Sequence, residues 1–121
     1  MIFGGFGGRI DQEMASYHAL IKWDCYFHRI VLVGIPSVAF ILSPGSHVIQ
    51  TSLDDRKEGN HCGLFPMTGS ATVTTKGLEW DMTHLDLNFG SFVSSSNHIP
   101  PESSEIIIET SNYLLWTSSL I

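Results

Sequence analysis

The sequence predicts an all-β protein: a small β-barrel or two-sheet sandwich of about eight short strands, with a short helix near the N-terminus. Three observations carry this. Apolar and polar residues alternate in several short runs, the period of a strand with one buried face. Turn-forming pairs such as Pro44-Gly45 and Lys76-Gly77 separate those runs at close spacing. Only one segment carries the marks of a helix start. The alternative is an α+β roll, in which residues 11–28 form one long helix across a curved sheet.

The chain opens on Phe3-Gly4-Gly5-Phe6-Gly7-Gly8. The spacing is not that of a phosphate-binding loop, and no Gly-Lys-Ser/Thr follows. Residues 1–10 read as a Gly/Phe-rich arm or edge segment, with Phe3 and Phe6 placed to dock on a neighbouring subunit. Asp11 then supplies a helix cap, and Glu13 an acid in the first turn, for a helix over 11–18. From Leu20, Ile21, Trp23, Cys25 and Phe27 alternate with Lys22, Asp24, Tyr26 and His28, which predicts a strand.

Ile30–Ile35 and Val38–Leu42 are short, apolar and β-branched, as buried strands are. His47–Leu53 is the next strand, and residues 54–60 form a charged loop. Gly63, Pro66 and Gly69 mark an irregular or edge-like segment. Ser70–Thr75 and residues 78–82 read as a hairpin closed at Lys76-Gly77. The alternation changes phase at Thr83–His84, from Leu78, Trp80 and Met82 to Leu85, Leu87 and Phe89, which requires a bulge, bend or turn there. A strand over 85–93 follows, then an exposed Ser/Pro loop at 94–104. Glu105–Thr110 and Tyr113–Ser118 close the chain, with a turn or bulge at Ser111-Asn112. No repeat or linker divides residues 1–121, which read as a single domain.

The chain has 121 residues, enough to bury a core without metal or disulfide support. Only 15% are charged, well under the usual share of about a quarter, so the surface is unusually neutral. That favours a homo-oligomer or an apolar ligand cavity. The net charge is −6 and no basic stripe exists, which argues against nucleic acid and against an anionic membrane surface. The apolar run Ile30–Leu42 is too short and too interrupted to span a bilayer. With no signal peptide legible, the chain is expected in the cytoplasm, with Cys25 and Cys62 as free, mostly buried thiols.

Asp81, His84 and Asp86 form the one concentration of potentially reactive side chains. His84 suits a general base whose tautomer a carboxylate fixes, or one half of a His-x-Asp ligand pair with His98 as the nearest third donor. The simpler reading leaves both carboxylates on a solvent face and His84 at a bend. His61-Cys62 points to opposite faces of a strand, and no zinc spacing occurs, so neither metal nor cofactor is expected. Trp23, Trp80 and Trp116 are core by default, and ligand-stacking residues if one faces outward.

Two function classes stay open. The favoured one is a non-catalytic β-module acting through self-assembly or ligand binding, as a structural subunit or a lectin-like binder of a small molecule or carbohydrate. The other is a small cavity enzyme of cyclase, isomerase or lyase type, with Asp81, His84 and Asp86 as its acid–base group.

Overall fold

A computed structural model describes residues 2–3, 9–26, 30–33, 37–51 and 60–119. The elements run β1 (Ile2–Phe3), α1 (Ile10–Lys22), β2 (Val31–Val33), β3 (Ser37–Leu42), β4 (Gly45–Gln50), β5 (Asn60–Pro66), β6 (Ala71–Lys76), β7 (Leu85–Leu87), β8 (Ser94–Ile99), β9 (Glu105–Thr110) and β10 (Leu114–Ser119). One sheet has the order β1-β2-β3-β10-β5-β8 and the other β4-β9-β6-β7. Every ladder is antiparallel except β1–β2. Both sheets are open, so the architecture is a two-sheet sandwich and not a closed barrel.

The apolar runs in β3 and β10 have a simple cause. Both strands are buried on two faces, so both sets of alternate side chains are apolar. Leu42, Leu114 and Trp116 join Leu64, Val73, Leu87, Ile106 and Ile108 between the sheets. Ala39, Ile41 and Leu115 face the other way, into a second core under Leu20, Tyr17 and Ile21 of α1. The layers are therefore helix, six-stranded sheet, four-stranded sheet.

That second core explains why α1 outruns the helix expected over 11–18. The strand expected from Leu20 does not form: the helix continues to Lys22, and turns occupy residues 23–26. Leu20 is fully buried in the helical register, and that burial outweighs the local alternation. Arg9, not Asp11, is the N-cap residue, and Asp11 accepts a hydrogen bond from the Gln12 N–H inside the first turn. The same shift leaves Cys25 exposed, while Cys62 is buried and both remain free.

Three further expectations are corrected. β5 is not an edge but lies between β10 and β8, with a register slip at Gly63. A Cβ there would stand 3.0 Å from Thr117 Oγ1 and 3.1 Å from the Ser94 carbonyl, so glycine lets three strands close up. The segment 94–104 is not one loop: Ser94–Ile99 is β8, an edge strand whose backbone pairs with β5, and the turn is confined to 100–104. The burial of β8 is not a simple alternation: Ser94, Asn97 and Ile99 are buried while Ser95 and Ser96 are exposed, so no clean period marks it as a strand. Ser111-Asn112 is no hairpin turn, because it carries the chain from β9 in one sheet to β10 in the other.

Phe3 lies in β1, whose backbone pairs with Leu32–Val33 of β2. Phe6 and residues 54–59 of the expected charged loop fall outside the described residues.

Candidate functional site

The expected strand over 78–82 is a turn, and the turn builds the site. After β6 the chain reverses at Gly77, whose φ is +105° and whose added Cβ would stand 2.5 Å from the Glu105 carbonyl oxygen. The Asp81 carboxylate gathers the turn by accepting from Leu78 N–H (2.9 Å), Gly77 N–H (3.2 Å) and Thr75 Oγ1 (3.0 Å). Asp81 is thus a structural clasp. Leu78 and Met82 drop into the core, at 5% and 6% exposure, and Trp80 between them is left 58% exposed on the rim. Their alternation is real, but a turn produces it. The chain then bends at Thr83–His84, where His84 has φ +45°, and returns as β7 to complete a hairpin with β6. The phase slip in the sequence falls on that bend.

Trp80 stands over β8. The buried Asn97 amide accepts from Trp80 N–H at 3.2 Å and donates to the Trp80 carbonyl at 3.0 Å. The same amide donates to Ser94 Oγ (3.2 Å) and accepts from His98 N–H (2.8 Å), so all its capacity is used. Beside it opens a cavity of about 390 Å³, lined by Trp80, Met82, Phe92, Val93, Ser94, Ser95 and Asn97. Its walls are mostly apolar and aromatic, with a few hydroxyl and amide groups, as small-molecule sites are.

The other expected site residues do not meet there. His84 faces a separate groove of about 180 Å³ with Thr72, Thr74, Glu109, Thr110 and Ser111, and its N–H donates to Thr74 Oγ1. Asp86 accepts from Thr72 Oγ1 at 2.6 Å. Asp81, His84 and Asp86 are all exposed, none lines the Trp80 cavity, and no hydrogen bond joins them among the described residues. His98 is engaged with Glu79 and His61. Among the described residues no group of three or more His, Cys, Asp or Glu could hold a metal ion. Trp116 is 1% exposed and stacks on Phe40 in the core, with no face for a ligand. Trp23 follows α1 and packs on Tyr26, ring centres 5.5 Å apart. Ser94, Ser95 and Asn97 were not legible as site residues, because their strand read as a loop and Asn97 meets Trp80 across 17 positions. Phe92 read as part of a strand over 85–93, but β7 ends at Leu87 and a turn at 89–91 precedes Phe92 on the cavity wall.

Comparison with known proteins gives this geometry a family. Residues 46–115 match the profile described as "Thiamin pyrophosphokinase, vitamin B1 binding domain", a span that holds every residue lining the Trp80 cavity. Thiamine pyrophosphokinase 3 of Oryza sativa subsp. japonica is 36% identical over 118 residues, 97% of this chain and 43% of that protein. Thiamine pyrophosphokinase 1 of Arabidopsis thaliana is 36% identical over 118 residues, 97% of this chain and 42% of that protein. The chain thus spans less than half the length of these relatives. Thiamin pyrophosphokinase from Candida albicans shares the fold with a TM-score of 0.88 at 22% identity, over 98% of this chain and 43% of that one. Yeast thiamin pyrophosphokinase superposes with a TM-score of 0.87 at 25% identity, over 98% of this chain and 39% of that one.

These findings overturn both functional expectations from sequence. The relatives are kinases, so a non-catalytic structural or lectin-like module is the wrong class, and cyclase, isomerase or lyase chemistry is the wrong reaction. The chain is a member of the thiamin pyrophosphokinase vitamin B1-binding domain family.

Proposed function

We propose that this chain is the thiamine-binding module of a thiamine pyrophosphokinase, and that thiamine occupies the Trp80 cavity. One observation carries the reading: a tryptophan 58% exposed on the rim of a largely apolar cavity, inside the segment that matches the vitamin B1-binding profile. Thiamine joins a flat aminopyrimidine to a cationic thiazolium. An indole face attracts a flat cation, by about 0.5–2 kcal/mol depending on how far it is desolvated. Met82, Val93 and Phe92 offer apolar contact, and the Ser95 hydroxyl can fix orientation. None of the lining side chains is ionisable, so the cavity is assigned binding and orientation and no proton transfer.

Titration with thiamine, followed by calorimetry and by tryptophan emission, tests this. We expect one site per chain, and at least tenfold weaker binding in Trp80→Ala with the melting temperature little changed. Absence of binding at millimolar thiamine, or unchanged affinity in Trp80→Ala, would reject it. A homo-oligomer completes the proposal, supported by the low charged fraction. Among the described residues no helix is long and apolar enough to cross a membrane.

A further inference from the structure

The apex of the Trp80 turn is gripped from both faces of one edge strand. β8 is the outermost strand of the six-stranded sheet, and its edge meets Glu79, whose N–H donates to the His98 carbonyl at 2.9 Å. Consecutive residues of a strand point to opposite faces. Asn97 points inward, 4% exposed, and clasps the backbone of Trp80. His98 is the next residue, and its Nδ1 lies 3.3 Å from a carboxylate oxygen of Glu79. Two successive strand residues therefore hold two successive turn residues, one pair on each side of the edge.

The contacts at the foot of the turn are of another kind. Asp81 binds Gly77, Leu78 and Thr75, the Met82 carbonyl accepts from Thr75 N–H, and Ser103 Oγ donates to the Gly77 carbonyl. These fix where the turn leaves and rejoins the sheet. Among the described residues, the hydrogen bonds of Glu79 and of the Trp80 backbone, and the contact of the Glu79 carboxylate with His98, all go to β8.

His98 is itself held. Its cross-strand partner is His61 on β5, with ring centres 4.4 Å apart and planes tilted by 54°. A ring packed on its neighbour, with one nitrogen on a carboxylate, has little freedom to swing. The turn also covers an otherwise bare strand edge, which keeps that edge from pairing elsewhere.

We propose that His98, acting through Glu79, is a positioning residue for Trp80, with His61 fixing the His98 ring. The brace holds the indole in the orientation that a ligand meets. The proposal rests on Trp80 being the platform for thiamine. Its size is modest, because the Glu79 side chain is 47% exposed and that of His98 is 26% exposed. Solvent screening at such exposure limits the pair to about a two- to fivefold effect on affinity.

The test uses a Trp23→Phe background. Trp116 is 1% exposed and out of reach of a polar quencher, so acrylamide then reports on Trp80 alone. Glu79→Gln and His98→Gln should each raise the Trp80 quenching constant in the ligand-free protein and weaken thiamine two- to fivefold. The exchanged pair Glu79→Lys with His98→Glu should restore both readouts, as a purely steric role would not. Parental quenching and affinity in both single variants would overturn the proposal, and so would failure of the exchanged pair to restore them. If the parent binds no thiamine, the ligand reading falls, and the quenching series by itself decides whether the brace positions Trp80.

Discussion

Removing the Asn97 amide should loosen the site more than any other polar change near it. Asn97→Ala deletes four hydrogen bonds, to Trp80 N–H, the Trp80 carbonyl, Ser94 Oγ and His98 N–H. The Trp80 groups lie in an exposed turn and regain water, so each contributes little. Ser94 is 5% exposed and its hydroxyl loses a buried partner, at about 1–3 kcal/mol. Together the loss should come to about 2–3 kcal/mol. In a domain of this size that is a fall of about 6–12 °C in melting temperature. Urea denaturation followed by circular dichroism measures it, with an unchanged slope showing that the denatured state is unaffected. Asn97→Asp is the informative companion. It keeps the acceptor for two N–H groups but turns a charged oxygen toward the Trp80 carbonyl, so it should cost at least as much as alanine. Ser94→Ala removes one bond of the four and should cost about 1 kcal/mol. A stability of Asn97→Ala within about 0.5 kcal/mol of the parent would mean that the clasp is not formed in solution, and the account of the Trp80 turn would fall with it.

Three other outcomes follow from the same structure. Gly77→Ala combines a left-handed φ of +105° with a methyl 2.5 Å from the Glu105 carbonyl oxygen, and should destabilise by about 2–4 kcal/mol; equilibrium unfolding within about 0.5 kcal/mol of parent would contradict the turn geometry. Burial pushes the Cys62 thiol up to about 12, while Cys25 is exposed, so a thiol reagent at pH 8 should label Cys25 in the native protein and reach Cys62 only on unfolding. The native state keeps Cys62 protonated where the unfolded chain has lost the proton, so stability from this group is complete below about pH 9 and is lost as pH rises toward 12. Cys62→Ala should remove that part of the alkaline decline, and identical pH–stability curves for parent and variant would refute it.

The sequence by itself determined the class of fold. Alternation in Ser70–Thr75 and the apolar runs near 38–42 and 114–116 are physical requirements of half-buried and fully buried strands, so β6, β3 and β10 stand close to where the pattern puts them. The phase slip at Thr83–His84 marked a true bend, because two-residue periodicity cannot shift without one. Tertiary structure decided the rest. Whether Leu20 and Ile21 continue a helix depends on a sheet face formed by Ala39, Ile41 and Leu115, far away in the chain. Whether Leu78, Trp80 and Met82 make a strand or a turn depends on Asp81 folding back onto Gly77 and on Asn97 seizing Trp80 across 17 positions. Ser94–Ile99 reads as loop because its side chains are small and polar, yet β5 supplies the backbone partners that make it a strand. The site is built where those long-range contacts converge. Period and composition report which side chains prefer burial, but they carry no record of which distant backbone will be there to meet them.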